Sequence, residues 1–182
     1  MGPSRVTNYR RSLVPGGTFF FTVNLADRRK NLLTERADLL RAAFRDTRQR
    51  HPFEIDAIVV LPDHLHAIWT LPERDGDFAT RWRQIKSAFS RGISIPGSMT
   101  RSRLSKSERG IWQRRYWEQA IRDQDDLNRH LDYIHFNPVR HGYVNRARDW
   151  AYSSFPLMVR HGLYPEDWGG DMGEVPSGFG ER

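Results

Sequence analysis

Ile58-Val-Val-Leu-Pro-Asp-His-Leu-His-Ala-Ile-Trp69 contains the end of one apolar strand, a break at Pro62-Asp63 and the start of a second apolar strand. Apolar and β-branched residues predict strands over residues 53–61 and 65–71. The short connection makes these strands antiparallel neighbours. Side chains alternate between the two faces of a strand, so His64 and His66 project from the same face. The stretch therefore predicts a sheet with two imidazoles side by side.

The segments on either side of this stretch supply a strand and two helices. Residues 18–25 (TFFFTVNL) are rich in aromatic and β-branched residues and predict a strand. Residues 35–49 predict a helix, because apolar residues recur at helical spacing in Leu39, Leu40, Ala43 and Phe44. A second helix is predicted from Asp77 as N-cap to Gly92 as terminator. Its apolar stripe is Phe78, Trp82, Ile85 and Phe89, and the basic residues off that stripe, predicted to face solvent or a partner, are Arg81, Lys86 and Arg91.

The C-terminal half predicts a fourth strand over residues 111–121 and a third helix. This helix begins after Asp123 and ends at Asn137, because Pro138 cannot continue it. Its predicted core stripe is Leu127, Leu131 and Ile134, and an adjacent stripe holds Asp126, His130, Tyr133 and Asn137. The order β-α-β-β-α-β-α predicts an α+β fold: a ferredoxin-like split βαβ sandwich with an extra C-terminal helix that carries Tyr133.

We divide the chain into an N-terminal arm over residues 1–17, one folded domain over 18–164 and a tail over 165–182. The tail holds five glycines and two prolines and is predicted to be disordered. The segment 94–109 is rich in Ser, Gly and Arg and predicts a mobile loop.

The composition bounds the class of protein. The 182 residues suffice for one domain with a real core, and the absence of cysteine excludes disulfides and thiolate metal sites. The N-terminus lacks the apolar segment of a signal peptide, and every apolar run is far shorter than the roughly 20 residues of a membrane helix. We therefore expect a soluble cytoplasmic protein.

Basic charge is concentrated in two blocks. The net charge is +7 in residues 1–50, −5 in 51–80, +8 in 81–121 and −3 in 122–182. Arginine accounts for 26 of the 29 basic residues. Its planar fork suits phosphates and guanine edges, although a GC-rich genome would produce the same excess. This uneven distribution of charge favours a polyanionic partner that binds to basic surfaces on either side of the histidines.

A second motif, Tyr133-Ile-His-Phe-Asn137, supplies a phenol and an amide that can form a site together with the histidine pair. Residues four apart share a helix face, so Tyr133 and Asn137 can converge on the two imidazoles. Imidazoles with an amide oxygen suit Mn²⁺ or Mg²⁺ when substrate oxygens complete the coordination shell. Zinc would need a third strong protein ligand, for which the candidates are His130, His135 and Asp63.

Tyr133 is the candidate nucleophile of this site. A cation bound beside it would neutralise and align a phosphate for in-line attack by the phenol, which yields a phosphotyrosine and a free strand hydroxyl. The covalent link conserves the bond energy, so a strand hydroxyl can later rejoin the strand without ATP. The alternative is an ordinary tyrosine packed at the edge of the core.

Two further segments are candidates for contact with nucleic acid. In residues 112–117 (WQRRYW) arginines lie between aromatic residues, a combination that tracks a phosphate backbone and stacks unpaired bases. The alternative is a core-facing aromatic row with solvated arginines. Gly16 and Gly17, close to Arg10 and Arg11, either let the backbone approach a nucleotide closely or form a plain turn.

These strings together resemble one family. Residues 64–66 look like the HUH signature, and residues 133–137 resemble a single catalytic tyrosine followed one turn later by a metal-binding residue. The wider strings 9–11, 15–25, 61–66, 85–91, 117–123 and 133–142 are similar to those of REP-associated tyrosine transposases, which are relatives of the single-strand insertion-sequence transposases. The resemblance spans roughly residues 5–165, and residues beyond it match no family that we recognise.

The resemblance implies an HUH endonuclease fold that cleaves and rejoins single-stranded DNA at repetitive extragenic palindromes. These are imperfect hairpins with a short conserved tetranucleotide at the foot. It implies Tyr133 as nucleophile, with His64, His66 and Asn137 holding Mg²⁺ or Mn²⁺. Many relatives have Asn at the position of Asp63 and Lys at that of Arg140, and the first difference bears on the metal preference. We predict DNA contacts from Arg10, Arg11, Gly16, Gly17, Asn24, Arg81, Lys86, Arg91, Arg114 and Arg115.

Other functions stay open at this point. A hairpin-binding regulator without turnover would keep the basic surfaces but need no nucleophile. A small zinc hydrolase acting on another substrate would need stoichiometric zinc. The protein is expected to be nucleoid-associated, and it is either a monomer or a homodimer, in which the tyrosine helix can be exchanged between subunits.

Overall fold

The computed structural model describes residues 14–93 and 110–169. A four-stranded antiparallel sheet forms its centre, in the order β2-β3-β1-β4. The strands are β1 Thr18–Asn24, β2 Glu54–Val60, β3 His64–Thr70 and β4 Trp117–Ala120. The helices are α1 Leu32–Glu35, α2 Ala37–Arg50, α3 Phe78–Arg91, α4 Gln124–Arg140 and α5 Phe155–Arg160, with a 3₁₀ turn at Ala147–Asp149. The strand order and the helix order confirm the predicted ferredoxin-like split βαβ fold with an added helix.

One face of the sheet carries the larger apolar core. Helices α2 and α3 cover it, and the stripe predicted on α3 is completely buried there. Trp69 of β3 stacks on Trp82 of α3 with ring centroids 4.2 Å apart. Asp77 caps α3 as predicted, since its side chain accepts a hydrogen bond of 2.9 Å from the amide of Thr80. The core thus holds β1 and β3, the two central strands, in a fixed register.

The opposite face of the sheet is covered by α4, which packs against β2 and β3. Asp123 caps this helix, because its side chain accepts a hydrogen bond of 2.8 Å from the amide of Asp126. The predicted polar stripe is the more buried of the two stripes: Asp126, His130, Tyr133 and Asn137 are at most 1% exposed, whereas Leu127 and Leu131 are only half-buried. A stripe of titratable and polar groups therefore faces the sheet.

Two predicted boundaries were wrong. Helix α4 continues through Pro138 to Arg140, because proline removes only one helical hydrogen bond and the amide of His141 still reaches the carbonyl of Asn137 at 3.0 Å. The fourth strand covers only Trp117–Ala120. The segment before it is irregular and touches the sheet through a single bridge between Trp112 and Leu25.

The chain after α4 packs against the rest of the domain, and this packing includes the first residues of the tail that was predicted to be disordered. Residues 152–154 run along the free edge of β2, where the amide of Val60 donates to the carbonyl of Tyr152 at 2.8 Å. Trp168, in the segment predicted to be disordered, packs on Tyr164 and Phe155 with centroids 4.8 and 5.8 Å away. The packed structure therefore extends through residue 169. Residues 1–13 of the arm predicted over 1–17, the loop predicted at 94–109 and residues 170–182 lie outside the described residues.

Arg81 was predicted to face solvent or DNA, and that prediction was wrong. It is 2% exposed, and its guanidinium donates to the Asp75 carboxylate at 2.7 Å and to the carbonyl oxygens of Pro52 and Asp77 at 2.6 and 2.9 Å. The residue lies beside the apolar stripe of α3, where the three acceptors compensate the burial of its charge. We therefore remove Arg81 from the candidate DNA contacts.

Replacing Arg81 by Ala is expected to lower the free energy of unfolding by about 2–3 kcal/mol, since three acceptors lose their donor. Urea unfolding followed by tryptophan fluorescence measures this effect. Arg83→Ala is the matched control: Arg83 is exposed on the same helix, and its loss should cost less than about 0.5 kcal/mol. Equal stability of the two variants would contradict the structural role of Arg81.

Within residues 14–93 and 110–169, none of the helices has the length and apolar character needed to cross a bilayer.

Candidate active site

His64 and His66 lie on β3 and project toward α4, on the face opposite the larger core. They are 1% and 0% exposed, and their ring centroids are 5.0 Å apart with the planes nearly perpendicular. The intervening Leu65 belongs to the other face, as the two-residue period of a strand requires. The predicted pair of neighbouring imidazoles on one face is confirmed.

Each imidazole is oriented by a hydrogen bond at its Nδ1 atom. Nδ1 of His64 lies 2.7 Å from Oδ1 of Asp63, which as a carboxylate only accepts, and 3.3 Å from Nη2 of Arg28. Nδ1 of His66 lies 2.8 Å from the hydroxyl oxygen of Thr22, which stands opposite it on β1. The Nε2 atoms of both rings are buried. This is the arrangement in which partners at Nδ1 present Nε2 as a metal ligand.

Asp63 is held as a carboxylate by the groups around it. Burial by itself would raise its pKa, but hydrogen bonds from His64 and Arg28 outweigh that effect and lower the pKa to about 2. Nε of Arg28 donates to Oδ2 of Asp63 at 2.7 Å. Both carboxylate oxygens of Asp63 therefore form hydrogen bonds, Oδ1 with His64 and Oδ2 with Arg28. In this arrangement Asp63 orients the ring of His64 and does not itself point a free oxygen at a cation.

Two residues of α4, Tyr133 and Asn137, and the residue that follows its last turn, His141, are spaced four positions apart on the side of the histidines. The ring of Tyr133 meets the ring of His66 edge-on, with centroids 5.2 Å apart. The ring of His141, two turns later, lies 5.4 Å from that of His64. Asn137 is fully buried between these two contacts on the same helix face. The ring of Tyr133 therefore meets the histidine pair within one chain, and Asn137 is buried one turn later on the same helix.

A positive charge close to the tyrosine comes from the end of the same helix. The guanidinium carbon of Arg140 lies 5.7 Å from the centre of the Tyr133 ring. The hydroxyl of Tyr133 and Oδ1 of Asn137 are both buried. A cationic group at this distance stabilises negative charge that develops on the phenol.

The other candidate ligands for zinc are placed differently. Nδ1 of His130 is 2.7 Å from the carbonyl oxygen of Asp126, and Nε2 of His135 is 3.1 Å from the hydroxyl of Ser154, in an aromatic pocket with Phe155. In the described part of the chain, no three His, Asp or Glu side chains cluster as a metal site. Two imidazoles and an amide oxygen are a donor set that could hold Mg²⁺ or Mn²⁺, whereas tetrahedral zinc would need a further strong ligand.

The burial of His135 leads us to expect a loss of stability in mild acid. Burial lowers its pKa from 6.5 to about 4, so the unfolded chain binds more protons than the folded chain between these two pH values. The free energy of unfolding should therefore fall as the pH falls through this window, by roughly 2 kcal/mol between pH 7 and pH 5. Urea unfolding of His135→Gln should show this slope removed, whereas the exposed His161→Gln should keep it. An unchanged slope in His135→Gln would contradict the assignment.

Several predicted DNA contacts surround the end of the sheet that carries His64. Asn24 pairs with His64 across the strands, and its carbonyl accepts a hydrogen bond of 3.0 Å from the amide of Gln113. Nζ of Lys86 donates to the carbonyl of Gln113 at 2.7 Å. The next two residues, Arg114 and Arg115, are exposed, as is Trp117 at 46%. Exposed basic and aromatic side chains thus lie near the end of the sheet that carries His64.

The remaining predicted contacts lie elsewhere. Gly16 and Gly17 precede β1, at the end opposite His64, and their amides donate to the carbonyls of Asp75 and Val14 at 3.0 Å each. Gly16 has φ +70, and a Cβ there would lie 3.1 Å from backbone atoms of Glu73, so a turn accounts for this glycine. Arg91 is exposed at the end of α3. Arg10 and Arg11 lie outside the described residues.

Sequence reasoning missed the residues that orient the histidines. Thr22 reaches His66 only because of the register between β1 and β3, and Arg28 reaches Asp63 from an irregular segment 35 positions away. The sequence of β1 contains a signal that could have identified Thr22. Phe19, Phe21 and Val23 face the larger core, so the two-residue period of the strand puts Thr22 and Asn24 on the opposite face, where the histidines lie.

Comparison with known proteins places the chain in a family. Residues 20–137 match the family model "Transposase IS200 like". The REP-associated tyrosine transposase of Escherichia coli (strain K12) is 46% identical over 95% of this chain and 97% of its own length. A putative REP-associated tyrosine transposase of Haemophilus influenzae is 47% identical over 91% and 95%. A solved structure of a REP-associated tyrosine transposase bound to a REP hairpin has a TM-score of 0.82 and 46% identity, and covers 97% of this chain and 98% of that one. The histidine pair, the facing tyrosine and these matches together show that the chain belongs to the REP-associated tyrosine transposases of the IS200-like transposase family.

Proposed function

We propose that this protein is a metal-dependent, site-specific single-stranded DNA endonuclease and strand transferase that acts on REP-type hairpins through a covalent phosphotyrosine. The observation that carries the proposal is the edge-on contact of Tyr133 with His66, 5.2 Å between ring centres, beside the second imidazole. The substrate class is supported by the relative that is bound to a REP hairpin. Exposed Arg114 and Arg115 supply positive charge beside the site for such a polyanion.

The residues that would hold the cation are His64, His66 and Asn137. Their donor atoms fit Mg²⁺ or Mn²⁺, because two oriented imidazoles and an amide oxygen are buried on facing elements while both Nδ1 atoms are engaged elsewhere. When bound, the cation supplies Lewis-acid polarisation and charge neutralisation of the scissile phosphate.

The chain itself supplies the nucleophile and its alignment. Tyr133 Oη gives up its proton and attacks phosphorus in line, and its bond to phosphorus forms as the bond to the leaving strand oxygen breaks. That oxygen takes up a proton, so the leaving strand ends in a hydroxyl. The guanidinium of Arg140 stabilises the charge that develops on the phenol. Attack by a strand hydroxyl on the phosphotyrosine reverses these steps and rejoins DNA, with Tyr133 as the leaving group.

The direct test is a cleavage assay with an end-labelled REP hairpin oligonucleotide that carries single-stranded flanks. We expect a protein–DNA adduct that survives a denaturing gel, forms with Mg²⁺ or Mn²⁺ and disappears with chelator. A permuted hairpin with the same base composition is the control and should give no adduct. Equal adduct yield in chelator, or from the permuted hairpin, would overturn the proposal.

A second candidate is a hairpin-binding regulator that does not cleave. It is favoured by the burial of Tyr133, which is 1% exposed, since cleavage needs this hydroxyl to meet a phosphate whereas binding does not. The same assay separates the two functions. Salt-sensitive binding of the hairpin without adduct under any metal condition would favour the regulator.

We further propose that Tyr133 acts on the site of its own chain, whether the protein is a monomer or a homodimer, and that the protein is located in the cytoplasm with the nucleoid. The support is that the helix carrying Tyr133 packs on the same sheet that carries the histidines. Mixing a Tyr133→Phe chain with a His66→Gln chain tests this point: adduct formation by the mixture would show exchange between subunits.

Asp63→Ala is expected to weaken Mn²⁺ binding by about 10- to 100-fold, because His64 loses the carboxylate that orients its ring. Calorimetric titration with Mn²⁺ in the absence of DNA measures this change. Asp63→Asn keeps an oxygen acceptor for Nδ1 and should lose less affinity than the alanine variant. Unchanged Mn²⁺ affinity in Asp63→Ala would contradict the orienting role.

A further inference from the structure

A row of rings leads from the histidine pair to the protein surface. His141 lies beside His64 with centroids 5.4 Å apart, and Tyr143 follows at 6.0 Å. Tyr143 stacks on Trp150, with centroids 5.3 Å apart and planes inclined by 28°. His141 is exposed and Tyr143 is 44% exposed, so the row reaches solvent within two ring steps of the site.

The row is anchored at both ends to elements that carry the active site. The amides of His141 and Tyr143 donate to the carbonyls of Asn137 and Pro138 at 3.0 Å each, which ties the row to the last turns of α4. At the other end, Nε1 of Trp150 donates to the carbonyl of Val60 at 3.0 Å, just before the turn that leads to His64.

Gly142 makes the turn of this row possible. Its φ is +71, a conformation that other residues adopt only with strain, and no atom lies within 4 Å of the position of an added Cβ. Backbone conformation and not lack of space therefore accounts for the glycine. The rings are thus ordered before any ligand arrives, which reduces the entropy cost of binding.

The chemistry of this surface suits an unpaired base. Exposed aromatic faces stack bases irrespective of their identity. Burial raises the pKa of the Tyr143 phenol, the charge of Asp63 raises it further, and the charge of Arg28 opposes this. A scissile phosphate at the histidines would place an adjoining nucleotide within reach of Tyr143, since stacked nucleotides rise roughly 3.4 Å per step.

We propose that His141, Tyr143 and Trp150 form a base-stacking subsite for an unpaired nucleotide next to the scissile phosphate. The proposal rests on the proposed function, which puts that phosphate at the histidines. The subsite holds the strand in place for attack and contributes affinity without reading sequence, so the specificity for a hairpin comes from other contacts.

The test uses REP hairpin oligonucleotides in which 2-aminopurine replaces one nucleotide at a time on each side of the cleavage position. Stacking on an aromatic ring quenches this fluorophore. In the Tyr133→Phe background, which prevents cleavage, we expect quenching at one or two adjacent positions. Tyr143→Leu should remove that quenching and weaken binding by roughly tenfold, and Tyr143→Trp should restore both. Leu163→Ala, which changes an exposed apolar residue outside the row, is the matched control and should behave as the parent.

The outcomes separate this inference from the proposed function. In one outcome the parent protein forms the adduct, and Tyr143→Leu shows the same binding, quenching and cleavage as the parent. This result would overturn the subsite and leave the enzyme assignment in place. Quenching that depends on Tyr143 supports the subsite even if no adduct forms, in which case only the enzyme assignment fails. Absence of quenching at every position next to the cleavage site overturns the subsite.

Discussion

Replacing Tyr133 by Phe is expected to abolish the covalent protein–DNA adduct and to lower hairpin cleavage by roughly 10⁴-fold or more, the scale on which loss of a nucleophile acts in other enzymes. The substitution removes one oxygen and keeps the ring that packs on His66 and Phe20. Binding of the hairpin should therefore stay within about twofold of the parent. Denaturing gels measure the adduct, and fluorescence anisotropy measures binding.

Tyr164→Phe is the matched control for this variant. Tyr164 also packs against α4, where its hydroxyl donates to the Asp132 carboxylate at 2.6 Å, but it lies beside His135 and not beside the histidine pair. The control should form the adduct at the parent rate. Cleavage by Tyr133→Phe at the rate of this control would show that another group is the nucleophile.

Replacing His66 by Gln is expected to weaken Mn²⁺ binding by more than about 100-fold, a larger effect than loss of an orienting partner, because a ligand itself is removed. Glutamine can still hydrogen-bond to Thr22, so the packing of β1 on β3 should survive. Adduct formation should fall by about 10³-fold in consequence, while hairpin binding measured in chelator should not change. Calorimetry with Mn²⁺ and the gel assay measure the two effects separately.

His130→Gln controls for the loss of a buried imidazole. The rings of His130 and His66 both contact Phe20, with centroids 4.8 and 5.6 Å away, so the two substitutions disturb the same core. Only His66→Gln is expected to weaken Mn²⁺ binding. Equal loss of Mn²⁺ affinity in both variants would favour the alternative in which His130 completes a three-histidine site, and would contradict the set of two imidazoles and an amide.

Where sequence prediction failed, the cause was compensation by contacts that the pattern of polar and apolar residues does not encode. Arg81 is a charged residue off the apolar stripe, but acceptors on Asp75 and Pro52 compensate its burial. Residues 165–169 are poor in apolar residues, but Trp168 finds aromatic partners. Pro138 lies inside a helix because the lost hydrogen bond is one of many along a buried face.

The sequence by itself determined the local structure and the chemical types of the site. Periods of 2.0 and 3.6 residues, caps at Asp77 and Asp123 and the spacing of the two motifs suffice for the order of elements, for two imidazoles on one strand face and for a tyrosine and an amide on one helix face. These features depend on neighbours within about one helical turn, so they can be read from the chain.

Only the tertiary structure decided which of these groups meet and how they are oriented. The register of β1 on β3 brings Thr22 to His66, the irregular segment after β1 brings Arg28 to Asp63, and the packing of α4 on the sheet puts Tyr133 5.2 Å from His66. Each of these contacts joins residues more than 30 positions apart. They result from the packing of whole elements on a common core, whose geometry depends on many side chains at once and not on any one stretch.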